Sequence, residues 1–245
     1  TPSTICRMGA LEDLYLRSVS GMWGTIPTCV GDLANLTSID YTYAGTLSGT
    51  LPLGLCKLRK LQKLQFQYTG GLSGTIPDCL GEDQPQLSTI SLQRNDLHGT
   101  IPESLCLIGD SLVHLYLNHN KLKGRIPDCF GTSFPALTTM QLQDNLLTGG
   151  LPQTWAPDNA LNSLMVSNNP KLRGELPGSL FEMSDLRDVV IEGSGLKGSL
   201  PLELCNATKL ALLYLASNEI EGDLPQCVAD LTNLKAKPKT EGPIA

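Results

Sequence analysis

Nine copies of Gly-x-(Ile/Leu)-Pro punctuate the chain, with prolines at Pro27, Pro52, Pro77, Pro102, Pro127, Pro152, Pro177, Pro201 and Pro225. The intervals are 25 residues six times and then 24 twice. Spacing this regular does not arise by chance, and it marks an internal repeat of 24–25 residues. Pro2 falls in the same register, so the sequence opens inside the first of about ten units and reads as a mature or trimmed fragment. A missing leader therefore carries no weight.

Upstream of each proline lies Leu-x-x-Leu-x-Leu or a close variant, as in Leu87, Ile90 and Leu92, then Leu112, Leu115 and Leu117, then Leu137, Met140 and Leu142. Alternation in its second half is the period of a β-strand. Eight residues after the leading leucine stands Asn95, Asn120, Asn145, Asn169 or Asn218, in five of nine copies. An inward asparagine there can hydrogen-bond the backbone of neighbouring coils. Val19, Ala44, Thr69 and Ser194 take that slot elsewhere, and those coils need other partners.

The stretch LQRNDLHGTIPESL at residues 92–105 resembles the plant-type leucine-rich repeat, with its second half Leu-x-Gly-x-(Ile/Leu)-Pro. The resemblance covers nearly the whole chain. It implies an α/β repeat fold, a right-handed solenoid of about ten 24–25-residue coils with a concave parallel β-sheet, a short second strand, and irregular or 3₁₀ turns outside. At about 4.8 Å per coil the sheet would run roughly 45–50 Å. Residues 1–234 then form one domain. Leu234 opens a further strand pattern that Lys235, Lys237, Pro238 and Lys239 abort, so residues 235–245 read as a solvated tail. The family's cysteine-bearing cap does not precede the first repeat, and both ends are expected to be open.

In a solenoid only adjacent coils bring cysteines within bonding distance. Cys6, Cys56, Cys106 and Cys205 lie four residues after their repeat's proline, and Cys29, Cys79, Cys129 and Cys227 lie two after theirs. Joining each coil of the first kind to the next of the second kind pairs Cys6–Cys29, Cys56–Cys79, Cys106–Cys129 and Cys205–Cys227. Starting instead at Cys29–Cys56 strands Cys6. The remaining coil pair carries the small residues Ala156 and Ser179 in these slots. Disulfides imply an oxidising compartment, hence an extracellular or cell-surface chain. Asn35-Leu-Thr37 and Asn206-Ala-Thr208 are N-glycosylation sequons in keeping with that setting.

A formal charge of −6 argues against a nucleic-acid ligand, and no apolar run is long enough for direct membrane insertion. No nucleophile-elbow, zinc-protease or phosphate-loop motif occurs. His114, His119 and Asp144 come together on neighbouring strands without a serine to complete them. No catalytic residue, metal or cofactor is expected, and the chain reads as a non-enzyme.

The strand positions not occupied by leucine should face the concave surface. The middle column runs Tyr15, Asp40, Gln65, Ser91, Tyr116, Gln141, Met165, Val190 and Tyr214. The next runs Arg17, Thr42, Gln67, Gln93, Asn118, Gln143, Ser167, Glu192 and Ala216, and a third runs Ser18, Tyr43, Tyr68, Arg94, His119, Asp144, Asn168, Gly193 and Ser217. Amides interleaved with aromatic rings at Tyr43, Gln65, Gln67, Tyr68, Gln93, Arg94, Tyr116, His119, Gln141 and Gln143 suit a protein or polysaccharide ligand. The expected function is an extracellular recognition or adhesion module. A structural component of a wall, sheath or filament, joined to other subunits through its open ends, is the alternative, and a secreted enzyme inhibitor the third. Thr25, Thr50, Thr75 and Thr100 also align as an ice-binding ladder would, but Arg125, Gly150, Glu175, Ser199 and Asp223 break the column.

Overall fold

The computed structural model describes residues 2–19, 21, 23–43 and 46–235. The aborted repeat at Lys237–Lys239 and nearly all of the expected tail lie outside them. Nine three-residue strands build one parallel sheet: β1 Asp13–Tyr15, β3 Ser38–Asp40, β5 Lys63–Gln65, β7 Thr89–Ser91, β9 His114–Tyr116, β11 Thr139–Gln141, β13 Ser163–Met165, β15 Asp188–Val190 and β17 Leu212–Tyr214. They hydrogen-bond in that sequence order, as stacked coils of a solenoid require.

The second half of each repeat supplies the other sheet. It contains β2 Trp23–Thr25, β4 Thr46–Thr50, β6 Gly70–Gly74, β8 Asp96–Gly99, β10 Lys121–Gly124, β12 Leu146–Gly149 and β14 Lys171–Leu172, again parallel and in order. The pair β16 Lys197–Gly198 and β18 Glu219–Ile220 forms a separate two-stranded sheet from the same part of the last two repeats. Between the sheets lie the repeat leucines, with Leu64, Leu92, Leu115, Leu117, Leu122 and Leu142 fully buried.

Each motif proline turns the chain from the second sheet to the outer side. Pro102 is extended at φ −66° and ψ 137°, the φ its ring enforces. Its carbonyl accepts the Leu105 N–H at 3.2 Å, and Pro27 and Pro77 do the same for Val30 and Leu80. These three-residue closures make the outer segments 3₁₀, as in Glu103–Ile108 and Gly178–Glu182. No α-helix forms among the described residues.

The motif glycine has two reasons to be glycine. Gly99 and Gly124 sit at φ +84° and +80°, where a side chain is disfavoured. A Cβ at Gly124 would also stand 2.8 Å from Thr100 Cγ2, because the threonine of one coil leans over the glycine of the next.

Buried asparagines tie successive coils together. Asn145 Nδ2 donates to Leu117 O and Leu142 O at 3.0 Å each, and its Oδ1 accepts the Leu122 N–H at 2.9 Å. Asn120 and Asn169 repeat the pattern. In one of the coils that lack this asparagine, Thr69 Oγ1 donates to Asn95 Oδ1 at 2.7 Å.

Disulfides join Cys6–Cys29, Cys56–Cys79, Cys106–Cys129 and Cys205–Cys227, each across one coil step. In the coil pair without a staple, Ser179 Oγ accepts the Trp155 N–H at 3.0 Å and donates to Gln153 O at 3.1 Å.

Candidate binding face

The nine-stranded sheet carries three columns of non-leucine side chains, and the structure sorts them by depth. The middle column lies on the strands themselves. Gln65, Tyr116 and Gln141 are half-buried there, while Tyr15 is exposed. Asp40 and Ser91, expected on the surface, are buried instead, Asp40 completely. The Arg17 guanidinium covers Asp40 as its ion-pair partner. The Thr42 N–H (2.9 Å) and hydroxyl also donate to the same carboxylate. That cluster neutralises both charges at the first coils, and Arg17 lies over the Tyr15 ring.

The second column is a row of amides on four successive coils, Gln67, Gln93, Asn118 and Gln143. The carbonyl oxygen of every one is buried without a hydrogen-bond donor. Asn118 is only 7% exposed, against the surface position expected for it. An amide turned about its last bond exchanges acceptor for donor in the same space. The row can therefore meet either group of a peptide backbone.

The third column forms the rim, where the chain leaves the sheet. Ser18, Tyr43, Tyr68, Arg94, His119, Asp144, Asn168 and Ser217 all have φ between 54° and 58°, a left-handed conformation uncommon for any residue but glycine. Because the conformation repeats, side chains leave the backbone in parallel and stack at the coil spacing. Tyr43 and Tyr68 stack with ring centroids 4.5 Å apart, and Arg94 Cζ lies 5.1 Å from the Tyr68 centroid. Tyr68, held between two neighbours, is 37% exposed, while Tyr43, covered on one face, is 54% exposed. Desolvation beside Tyr68, followed by the hydrogen bond to it, raises the Tyr43 pKa above the usual phenol value, and Arg94 opposes the shift.

Farther along the rim, His119 Nδ1 lies 3.2 Å from Asp144 Oδ2, and Asn168 Nδ2 donates to Asp144 Oδ1 at 2.8 Å. The third member of this row is an amide, which supplies no nucleophile. His114 borders Tyr116 in the neighbouring column, ring on ring. Desolvation holds its pKa below the ordinary histidine value.

Of the ten residues named from sequence, the structure places Tyr43, Tyr68, Arg94 and His119 on the rim. Gln67, Gln93 and Gln143 fall in the amide row, and Gln65, Tyr116 and Gln141 on the strands. Asp144, Asn168 and Asn118 complete these rows and were not among the ten. Their signal was present in the repeat, since each occupies the same slot as a chosen residue one or two coils away.

The leucine-rich-repeat family model matches residues 111–133, and no curated protein sequence matches the chain. Among solved structures, the plant peptide hormone receptor RGFR1 in complex with RGF2 superposes with a TM-score of 0.87 at 31% identity, over 94% of this chain and 36% of that one. The ectodomain of the Arabidopsis receptor kinase HAESA, in complex with an IDA peptide hormone, gives 0.88 at 26% identity, over 96% and 38%. A plant ice-binding protein gives 0.66 at 25% identity, over 87% and 74%. The chain thus spans a little over a third of the length of the receptor chains it resembles. Repeat period, strand order and these likenesses agree: the chain is a leucine-rich-repeat solenoid.

Proposed function

We propose that the chain is an extracellular, non-catalytic recognition module that binds an extended peptide or protein segment along the concave face. The observation that carries this reading is the amide row flanked by the Tyr43–Tyr68–Arg94 stack. It sets a row of side-chain amides, each able to turn about its last bond, beside aromatic and guanidinium surface, and tyrosine and arginine are the groups that dominate protein interfaces. Two solved structures of the same fold hold peptide hormones. The four disulfides suit an oxidising, extracellular setting. The test is selection from a phage-displayed library of random peptides of about seven residues, a length matched to the inner face. Recovered peptides should bind the chain and lose roughly tenfold or more on Tyr43→Ala/Tyr68→Ala/Tyr116→Ala, about 1.4 kcal/mol. Equal binding to the triple variant moves the site elsewhere, and an empty selection ends the peptide reading.

A second reading has its own observation. Thr25, Thr50, Thr75 and Thr100 stand exposed in one column beside the second sheet, and one solenoid of similar fold is an ice-binding protein. The ladder stops at Arg125. Inhibition of ice recrystallisation by the chain, abolished by Thr50→Lys/Thr75→Lys, would favour this reading. No inhibition would remove it.

A further inference from the structure

The concave face is electrically lopsided, although the columns that build it are mostly neutral. On the first four strands, β1 to β7, the three columns above and a fourth through the opening residue of each strand (Asp13, Lys63, His114 and Asp188 among them) carry Asp13, Arg17, Asp40, Lys63 and Arg94. Arg17 and Asp40 neutralise each other, which leaves Lys63 and Arg94 against Asp13 alone. On the last five strands, β9 to β17, the same columns carry Asp144, Asp188 and Glu192 and no lysine or arginine, although Arg187 and Lys235, outside the columns, lie close enough to act on Asp188. Lys63 and Arg94 are exposed, and Asp144, Asp188 and Glu192 are half-buried but open to solvent. Between the two poles lies the amide row, whose Asn118 Oδ1 is buried and unpartnered.

From this juxtaposition we infer that the ligand is a dipolar extended peptide, which lies along the solenoid axis. Its basic end, a lysine, arginine or free amine, faces Asp144, Asp188 and Glu192. Its acidic end, a carboxylate side chain or C-terminus, faces Lys63 and Arg94, with a neighbouring ring packed on the exposed edges of Tyr68 and Tyr43. The amide row takes the uncharged backbone between. Five strand steps separate β5 from β15, which is roughly 24 Å at the usual interstrand spacing and about seven residues of extended chain. A peptide of uniform charge gains at one pole and is repelled at the other. The inference rests on the recognition reading above and adds its polarity.

The probes are the peptides recovered from the same library, together with the charge-swapped chain Lys63→Glu/Arg94→Glu/Asp144→Lys/Glu192→Lys. Recovered sequences should segregate basic residues into one half and acidic residues into the other. They should bind the swapped chain roughly tenfold more weakly at low salt, a difference that collapses near 1 M salt. A photo-crosslinking group at the basic end should label the β11–β15 region, and one at the acidic end the β3–β7 region. Selection against the swapped chain should return peptides that crosslink the other way round. Because Asp144 contacts His119 and Asn168, the milder Lys63→Glu/Glu192→Lys chain serves as a second variant and should weaken binding by a few-fold. Peptides that bind without segregated charge, or bind both swapped chains as well as the original, overturn the polarity while leaving recognition intact. An empty selection overturns both.

Discussion

Replacing Gly124 by alanine tests why the repeat demands glycine one coil after a threonine. Two costs meet at this position. The φ of +80° imposes about 1–2 kcal/mol on an L-residue in left-handed backbone. The new Cβ then stands 2.8 Å from Thr100 Cγ2, well inside the roughly 3.5–4.0 Å at which carbon atoms attract, and overpacking of this kind costs about 1–3 kcal/mol. Gly124→Ala should therefore lower stability by about 2–5 kcal/mol in urea unfolding, measured at unchanged m-value. The second cost belongs to one methyl group. Thr100→Ser removes that methyl and should return about 1–3 kcal/mol in the double variant. Thr100→Val keeps it and should return nothing. If Thr100→Ser/Gly124→Ala merely adds its two single effects within about 0.5 kcal/mol, the steric half of the argument is wrong and only the backbone conformation matters.

Asn145→Ala strips partners from two carbonyls and one N–H in the buried ladder, so urea denaturation should show a loss of about 2–4 kcal/mol. His114 has a folded pKa lowered from 6.5 by desolvation. Its contribution is fully present above pH 6.5 and is lost as the pH falls through the folded value, because the unfolded chain then binds the extra proton. His114→Gln should flatten that part of the stability-versus-pH curve. The two sequons should differ in occupancy by intact-mass analysis of protein from a secreting host. Asn206 is exposed, whereas Asn35 already donates to Gly9 O at 2.9 Å and accepts from Lys60 Nζ at 2.8 Å. Asn206 should carry glycan in most molecules and Asn35 in a smaller share.

Spacing along the chain carried most of the fold, because stacking turns a sequence interval into a spatial neighbour. Prolines at constant separation fixed the coil. Cysteine offsets of four and two fixed which coils could meet, and Asn120, Asn145 and Asn169 announced an interior polar ladder. Depth on the concave face was not legible in the same way. Asp40 shares a column with Gln65 and Tyr116, yet Arg17 and Thr42 fold over it, and a period-two pattern cannot register a side chain that covers its neighbour. The rim column could be read from the repeat, but its backbone conformation was hidden for a related reason. Glycine usually marks positive φ, but Tyr43, Tyr68, Arg94 and His119 adopt it because every coil imposes the same exit from the strand. Only the structure shows that Tyr43, Tyr68 and Arg94, roughly 25 residues apart, pack on one another as a stack.

The disulfides also govern how the molecule would yield to a pull on its ends. Each closes a segment with a sequence separation of 22 or 23 residues, which is roughly 75–80 Å of extended chain withheld from stretching. The four together hold back on the order of 300 Å of contour. Under tension the oxidised chain gives way first at coil junctions without a covalent link, and it stops lengthening well short of its full extent. A reductant therefore acts as a length switch, converting a short tether into a long one without cutting the polypeptide.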